Sequence, residues 1–165
     1  MSETRIEVSP IAGVTFTAMT ALAAETIGPS LAKIDPWARY AYTPEALTAF
    51  LAAEEPGSPR FAINSGRAIA GAFAIKENWL RGPYLQFLGL LPAFQAHGIG
   101  SAVLAWFETR GHDAHAQNLW VVASEFNERA LSFYEKHGFR RVAPLTDLVV
   151  EGCSEILLRK KIAPN

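Results

Sequence analysis

The segment Gln95–Gly100, which reads Gln-Ala-His-Gly-Ile-Gly, has the residue types and spacing of an anion-binding turn. It lies between an apolar run that predicts a buried strand and an amphipathic stretch that predicts a helix. Glycines let the backbone turn tightly and keep β-carbons away from an approaching ligand. The first amides of a helix lack partners within it and lie at the positive end of its dipole. Such a turn can hold a pyrophosphate, although a plain strand-to-helix turn with two glycines is the alternative.

Two common nucleotide-binding motifs do not fit this segment. A Walker A loop needs Gly-Lys-Ser/Thr, whereas Gly100 is followed by Ser101 and Ala102. A dinucleotide fingerprint needs a third Gly or Ala three residues after Gly100, where this chain has the bulkier Val103. A nucleotide-dependent oxidoreductase is therefore disfavoured.

A third pattern matches. Gln95-x-x-Gly98-x-Gly100 resembles the loop that holds the acetyl-CoA pyrophosphate in the GNAT N-acetyltransferase superfamily. A second segment, Asn127–Phe139, is similar to another motif of that superfamily, in which Asn, Ala, Tyr and a terminal Gly-Phe recur at this spacing. One predicted helix and one predicted strand separate the two motifs, as they do in the family. Because both motifs occur in register, the chain is identified as a member of this superfamily.

The resemblance implies which residues hold acetyl-CoA. In the family the central strands part where the pantetheine arm enters, so the strand edge from Leu88 to Leu90 is expected to bind that arm, with a bulge near Gly89. The side chain of Asn127 is expected to meet the pantetheine. The residues whose main-chain amides are expected to hold the pyrophosphate are Gln95, Ala96, His97, Gly98, Ile99, Gly100 and Ser101.

The resemblance also places Tyr134 near the thioester sulfur. Acetyl transfer requires a neutral amine, so an ammonium with a pKa of about 10.4 must first lose a proton. The backbone amide of Leu90 can then meet the charge that develops on the carbonyl oxygen, and the Tyr134 phenol can protonate the departing thiolate. Without the resemblance, Tyr134 reads as a core aromatic and Asn127 as a helix N-cap.

The general base stays open at this stage. Many relatives carry Glu on the strand before the loop, but this chain has Gln86 there, and a glutamine is not a useful proton acceptor. Glu77, Glu125 or a chain of water molecules are the alternatives, and each of the two glutamates more often belongs to a solvated surface.

Composition limits the class of protein. The 165 residues are 50% hydrophobic and 19% charged, which predicts one domain over residues 1–165 with a proper core. Fifteen Lys and Arg against sixteen Asp and Glu give a net charge of -1, which argues against nucleic-acid binding.

One cysteine, Cys153, suits a reducing compartment. No apolar stretch is long enough for a membrane span and no signal peptide is evident, so a cytoplasmic location is expected. His112 and His115 read as a polar loop, and no metal site is expected.

Hydrophobic periodicity predicts the elements that position these residues. Alternating and continuous apolar runs predict strands over residues 5–8, 61–64, 68–76, 84–91, 118–123, 139–142 and 154–162. Apolar stripes predict helices over 14–27 and 98–110, which end at Gly28-Pro29 and Gly111. Two further helices follow the N-cap residue Thr43 and the segment that begins at Asn127. In the strand 68–76, Ile69, Phe73 and Ile75 are predicted on one face and alanines on the other, with a helix against the alanines.

These elements predict a mixed α/β fold of the GNAT type. A mostly antiparallel central sheet of six to seven strands, splayed in the middle, is expected to carry about four helices on both faces. The predicted function is transfer of an acetyl group from acetyl-CoA to a primary amine by direct attack. The acceptor can be a protein N-terminus, a lysine or a small-molecule amine, and a homodimer is left open. The alternative is a catalytically silent CoA-binding regulatory module, which Gln86 favours and Tyr134 disfavours.

Overall fold

The computed structural model describes residues 6–163, so both ends of the expected 1–165 domain lie outside the described residues. The described part forms eight strands and four α-helices. In chain order they are β1 (Ile6–Val8), β2 (Val14–Ala18), α1 (Ala21–Leu31), α2 (Pro44–Ala52), β3 (Arg60–Ser65), β4 (Ala68–Trp79), β5 (Gly82–Leu90), α3 (Ile99–Asp113), β6 (Asn118–Ser124), α4 (Glu128–Lys136), β7 (Arg140–Thr146) and β8 (Ser154–Lys161). A short 3-10 turn, Pro92–Phe94, precedes α3.

The strands join in one sheet in the order β1-β2-β3-β4-β5-β6-β8-β7. The pairs β1–β2, β2–β3, β3–β4, β6–β8 and β7–β8 are antiparallel, whereas β5 and β6 are parallel. A mixed, mostly antiparallel sheet with four helices confirms the predicted fold class, with eight strands instead of six to seven. The last strand, β8, is inserted between β6 and β7.

The chain divides into two compact units. The first contains residues 6–75 and 87–106, and the second contains residues 76–86 and 107–163. Strands β4 and β5 each contribute residues to both units, while α1, α2 and the turn before α3 belong to the first unit and α4 belongs to the second. The expectation of a single domain remains a prediction.

The predicted helix over residues 14–27 is wrong in its first half, which is the strand β2. Val14 and Phe16 are buried while Thr15 is exposed, so this segment has the two-residue period of a strand. The helix α1 begins only after Thr20, whose side chain accepts a hydrogen bond from the Ala23 N–H at 3.1 Å. The stripe of apolar residues at helical spacing therefore mixed residues from two elements.

The predicted end of that helix at Gly28-Pro29 is also wrong, because α1 continues to Leu31. A β-carbon at Gly28 would lie 2.3 Å from Oγ1 and 2.9 Å from Cα of Thr48 on α2. Gly28 is therefore a point of close helix packing and not a terminator. The buried side chains of Ile27 and Leu31 hold this last turn in the core despite Pro29.

The alanine face of β4 packs against helices, as predicted. Ala72 and Ala74 are fully buried in a cluster with residues of α1 and α2, namely Ala24, Ile27, Leu31, Leu47 and Leu51. Ile69 packs against the same cluster, so its predicted position beside Phe73 is wrong. The register with β3 shifts between Ile63 and Asn64, and the extra residue on β4 turns Ile69 to the alanine face.

Phe73 faces the other side of the sheet, among aromatic residues of the first unit. Its ring centroid lies 5.1 Å from those of Phe16 and Trp106 and 4.8 Å from that of Phe61. These edge-to-face and stacked contacts make an aromatic core that includes the N-terminal part of α3.

In the second unit two predicted breaks are displaced. Strand β4 runs on to Trp79, beyond its predicted end at residue 76, and the turn to β5 consists of Leu80 and Arg81, with φ of 25° and 62°. Helix α3 passes through Gly111 to Asp113. A β-carbon at Gly111 would lie 2.6 Å from Cδ2 of Leu119, so close packing against β6 explains the glycine. His112 is therefore helical and not in a loop.

The helix of the second motif forms as predicted. Asn127 precedes α4, and Gly138, with a φ of 90°, follows its C-cap residue His137. Leu131 and Tyr134 are the buried residues of this helix. Local capping signals fix both ends, which explains why the sequence was sufficient here.

Candidate active site

The candidate donor-binding turn lies in the first unit, between β5 and α3. The Gln95 N–H donates to the carbonyl of Pro92 at 3.3 Å, and its side-chain Nε2 donates to the carbonyl of Leu90 at 2.9 Å. The side-chain bond ties the turn to the end of β5, and the main-chain bond closes the 3-10 turn. The Gln95 side chain thus holds the loop in place, because its amide can donate a hydrogen bond to a main-chain carbonyl. The sequence motif did not predict this structural role.

The turn itself uses left-handed backbone geometry. Ala96 has a φ of 62° and Gly98 a φ of 79°. A β-carbon at Gly98 would be 3.5 Å from Ile11, which is an ordinary contact, so the backbone conformation and not lack of space favours glycine here. Ala96, His97 and Gly98 are exposed.

Helix α3 starts directly after this turn. The Ala102 N–H donates to the carbonyl of Gly98 at 3.0 Å, so the N–H groups of Ile99 and Gly100 lie in the first turn, where the helix supplies no acceptor. The Ile99 side chain is buried and anchors the helix end. The residues that directly precede it, His97 and Gly98, are exposed. The fifteen residues of α3 direct the positive end of their dipole at this point, which is the electrostatic environment that a diphosphate needs.

The strand edge expected to hold the pantetheine arm belongs to the same unit. Leu88 and Leu90 are half-buried and Gly89 is buried. A β-carbon at Gly89 would lie 2.9 Å from the Trp37 ring and 3.0 Å from Leu31, so packing explains the glycine. The Trp37 ring also stacks on that of Phe87, with centroids 4.4 Å apart. The expected bulge at Gly89 stays a prediction.

In the second unit, Asn127 is the N-cap of α4. Its Oδ1 accepts a hydrogen bond from the Ala130 N–H at 3.2 Å. The capping interpretation of Asn127 is therefore correct, and the pantetheine contact implied by the family remains a proposal.

Tyr134 is buried on the inner face of α4, with its ring 5.8 Å from that of Phe139. Burial and the proximity of Tyr84 raise the pKa of the Tyr134 phenol well above its usual range. The hydroxyl therefore keeps its proton at neutral pH, as a proton donor must.

A buried polar cluster that the sequence analysis missed lies on the strands of the second unit. Ser124 on β6 and Glu155 on β8 are register partners, both buried, and the Ser124 hydroxyl donates to Oε2 of Glu155 at 3.2 Å. Burial and the charge of Glu155 raise the pKa of Tyr84 on β5 to about 12. The available signal was an acidic residue inside the apolar run of β8, whose neighbours Ile156 and Leu157 are buried.

Gln86, on the same strand as Tyr84, has a buried side-chain oxygen. Its Oε1 has no hydrogen-bond partner among the described residues. Buried acceptors are nearly always paired in folded proteins, so this unpaired oxygen carries a desolvation cost that no described residue offsets.

The two glutamates considered as a base are accounted for differently. Glu77 Oε1 accepts from Nη2 of Arg110 at 2.7 Å, so this carboxylate is part of an ion pair. Glu125 is exposed.

His112 lies within 3.8 Å of Glu108 on its own helix. Among residues 6–163, His, Cys, Asp and Glu side chains form no group of three or more suited to a metal ion. The same residues contain no helix that is both long and apolar enough to cross a membrane.

Solved structures with this fold include two acetyltransferases. The one from Thermus thermophilus matches with a TM-score of 0.74 and 18% identity, over 94% of this chain and 100% of that chain. A GNAT family acetyltransferase from Elizabethkingia anophelis, solved with acetyl-CoA bound, matches with a TM-score of 0.64 and 18% identity, over 92% of this chain and 100% of that chain.

Sequence comparison gives the family. The uncharacterized protein YdhI of Bacillus subtilis (strain 168) is 28% identical over 106 residues, which are 56% of this chain and 66% of that protein. The model of the acetyltransferase (GNAT) family matches residues 24–139, a range that contains both the glycine turn and the Asn127–Phe139 motif. The chain belongs to the acetyltransferase (GNAT) family.

Proposed function

We propose that this protein transfers an acetyl group from acetyl-CoA to a primary amine by direct attack. The observation that carries the proposal is the exposed turn at Ala96–Gly98, which leads into the N-terminus of the fifteen-residue helix α3. That turn has the backbone geometry and dipole of a diphosphate site in a chain whose family consists of acetyltransferases. Family membership is what connects the anion-binding geometry with acetyl-CoA in particular.

The donor contacts follow the family pattern. Amides from Gln95 to Ser101 hold the diphosphate, chiefly those of the first turn of α3, since the Gln95 N–H already has an acceptor in Pro92. Main-chain groups from Leu88 to Leu90 bind the pantetheine arm. The Asn127 side chain, which also caps α4, contacts the same arm.

Chemistry then proceeds without a covalent enzyme intermediate. The neutral amine attacks the thioester carbonyl, and the Leu90 N–H stabilises the oxygen on which negative charge develops. The Tyr134 hydroxyl protonates the departing thiolate, and burial keeps this phenol in its protonated form at neutral pH.

A regulatory module that binds CoA without turnover is the second candidate. The observation that favours it is Gln86, which stands where many relatives carry a glutamate base. The two candidates differ in turnover and agree on acetyl-CoA binding, so one purified protein preparation separates them.

The experiment is calorimetric titration with acetyl-CoA, followed by measurement of thiol release with a panel of primary amines: a peptide with a free N-terminus, a lysine peptide with a blocked N-terminus, and spermidine. Gly98→Ala should lose acetyl-CoA affinity. Gly13→Ala is the matched control, because Gly13 has the same φ of 79° and open space around it but lies outside the turn. If the unmodified protein does not bind acetyl-CoA, the proposal is wrong; if it binds but no amine releases thiol, the regulatory module is favoured.

The acceptor class and the quaternary structure belong to the same proposal. A homodimer is left open, and light scattering on the purified protein gives its mass in solution. No nucleic-acid or membrane partner is proposed.

A further inference from the structure

A cavity of the second unit that the chemistry above does not use is lined mainly by cations. It has a volume of about 480 Å³ and lies where the start of β7 meets the end of β8. Four of its six lining residues carry a positive charge, although the whole chain has a net charge of -1. The cations are exposed, except for the half-buried Arg159, so a dissolved anion can reach them. The lining residues are Gly138, Arg140, Arg141, Val142, Arg159 and Lys161.

The strand register explains why these cations converge. Side chains alternate along a strand, so Arg159 and Lys161 share one face of β8, whereas Lys160 lies on the other face. Arg140 on β7 is the register partner of Arg159, so the two guanidinium groups lie on the same face of the sheet. Like charges directly opposite each other on paired strands are destabilising. The Arg159 guanidinium also lies over the Trp120 ring at 5.8 Å, and this cation–π contact helps to hold it in place.

Two other cations of this region are already neutralised by glutamates. The Arg141 Nε donates to Oε1 of Glu135 at 2.7 Å, and its Nη2 lies 3.8 Å from Glu128. Lys160 forms an ion pair with Glu108 on α3. Arg141 is therefore oriented by the helix α4, and Lys160 does not contribute its charge to the cavity.

The remaining cations of the cavity form no ion pair with an acidic side chain among residues 6–163; they are Arg140, Arg159 and Lys161. The C-terminal end of α4 supplies about half a negative charge, which is much less than three cations require. Charged side chains on an edge strand also discourage pairing with other chains. That explanation does not apply to Arg159, because β8 is an inner strand of the sheet. An anion from outside the chain would compensate all three charges.

We infer that this cavity binds a small phosphate-bearing molecule, at a site separate from the glycine turn. Guanidinium groups match phosphate oxygens with two parallel N–H···O bonds, and a phosphate dianion compensates two opposed arginines at once. The volume is in the usual range for small-molecule ligands and exceeds what a bare phosphate needs. An organic part of the ligand therefore has room beside Val142, the apolar side chain of the lining.

The position of the cavity distinguishes it from the donor contacts of the same unit. Asn127 precedes the first turn of α4, and Gly138 follows the C-cap residue of that helix. The nine residues of α4 span about 14 Å at 1.5 Å per residue. The cavity is thus at the end of α4 opposite the residue proposed to contact pantetheine, and the inference does not rest on the proposed function.

The test is calorimetric titration of the full chain with inorganic pyrophosphate in about 0.15 M NaCl, which screens loose attraction between exposed charges. Pyrophosphate can also enter the glycine turn, so variants of the cavity identify the site. Arg140→Gln and Arg159→Gln should each weaken the binding at least about tenfold, as expected when charge-assisted hydrogen bonds are lost. The cavity binding should persist in Gly98→Ala, which alters only the turn.

Two further variants provide the controls. Arg159→Lys should keep part of the affinity, because it retains the charge and loses the two parallel hydrogen bonds. Arg67→Gln removes an exposed arginine of the turn between β3 and β4, outside the cavity, and should leave pyrophosphate binding unchanged.

The titrations can overturn the inference in two ways. A parent protein that does not bind pyrophosphate, or one whose affinity is unchanged in both Arg140→Gln and Arg159→Gln, shows that the cavity is not an anion site. If Arg159→Gln does not fold, Arg140→Gln decides alone, because Arg140 is exposed. A parent that binds a single-stranded oligonucleotide through these arginines but does not bind pyrophosphate also contradicts the inference.

A final comparison separates this site from the donor. Acetyl-CoA and its 3′-dephospho analogue should each bind Arg140→Gln as tightly as they bind the parent. If the variant loses affinity for acetyl-CoA but not for the analogue, the cavity holds the 3′-phosphate of the donor and the inference of a separate site is wrong. A parent that binds pyrophosphate in the cavity but does not bind acetyl-CoA supports the inference and contradicts the proposed function.

Discussion

At the scale of single residues, the environment of each polar group determines what it can do. Tyr134 and Tyr84 are both phenols held in the protonated form by burial, and Glu155 is a carboxylate in the same unit. A phenol that keeps its proton can act as a proton donor to a leaving group. Neither environment is visible in a sequence motif, because each depends on strands that are distant along the chain.

The first prediction at this scale concerns Tyr134→Phe. Turnover should fall by a factor of about 10² to 10⁴, because the thiolate then leaves without a general acid, while acetyl-CoA affinity is retained. Tyr42→Phe, at an exposed tyrosine, is the control and should have normal turnover. Steady-state thiol release and calorimetry measure the two effects, and a full rate with the best acceptor would rule out the assignment.

The second prediction concerns alkaline stability. The pKa of Tyr84 is raised from 10.0 to about 12 in the folded protein, so between these values the unfolded chain has lost a proton that the native state keeps. The free energy of unfolding should therefore fall as pH rises from about 10 to about 12, by up to about 2.7 kcal/mol for this group. Urea unfolding at about pH 9 and about pH 11 measures the slope, which Tyr84→Phe should reduce. An identical slope in the variant would contradict the burial of this phenol.

At the scale of elements, the structural role of a glycine is the feature that is hardest to infer from the sequence. Gly28 and Gly111 were interpreted as helix ends, but both lie inside helices at points where another element approaches closely. The helices with explicit caps, at Thr43 and Asn127, were predicted correctly because capping is a local interaction. Packing glycines can be recognised only once the partner element is known.

Gly28→Ala tests this interpretation. Intrinsic helix propensity favours alanine by about 1 kcal/mol, but here the new methyl group would collide with Thr48 on α2. We expect a net loss of about 1–3 kcal/mol, as is usual for overpacking. Chemical denaturation measures it, and the loss should be smaller in a Thr48→Ala background, where Oγ1 is absent. A stabilised Gly28→Ala variant would show that the two helices have room to separate.

At the scale of the whole molecule, the sequence predicts those parts of the site whose residues are close together along the chain. The turn Gln95–Gly100 and the helix that follows Asn127 were identified because each is a short local motif. Glu155 was not, since its position beside Ser124 depends on the insertion of β8 between β6 and β7. The strand order likewise could not follow from periodicity, which gives the elements but not their neighbours.

The whole-molecule prediction is a ligand-linked rise in thermal stability. Acetyl-CoA that binds only the native state adds about 2.7 kcal/mol at a hundred times its Kd. For a chain of this length that is a rise in Tm of about 5–10 °C, measurable by differential scanning calorimetry. NAD is the matched control ligand and should leave Tm unchanged, as should acetyl-CoA with the Gly98→Ala variant.

The indole of Trp37 rests against Gly89, in the middle of the strand edge from Leu88 to Leu90. Tryptophan emission responds to changes in local polarity and to nearby carbonyl and sulfur groups, so this ring is a built-in optical sensor for whatever occupies that edge. Stopped-flow emission measurements can therefore time the arrival of the thioester arm without any attached dye, with Trp37→Phe as the reference that separates this indole from the other three tryptophans.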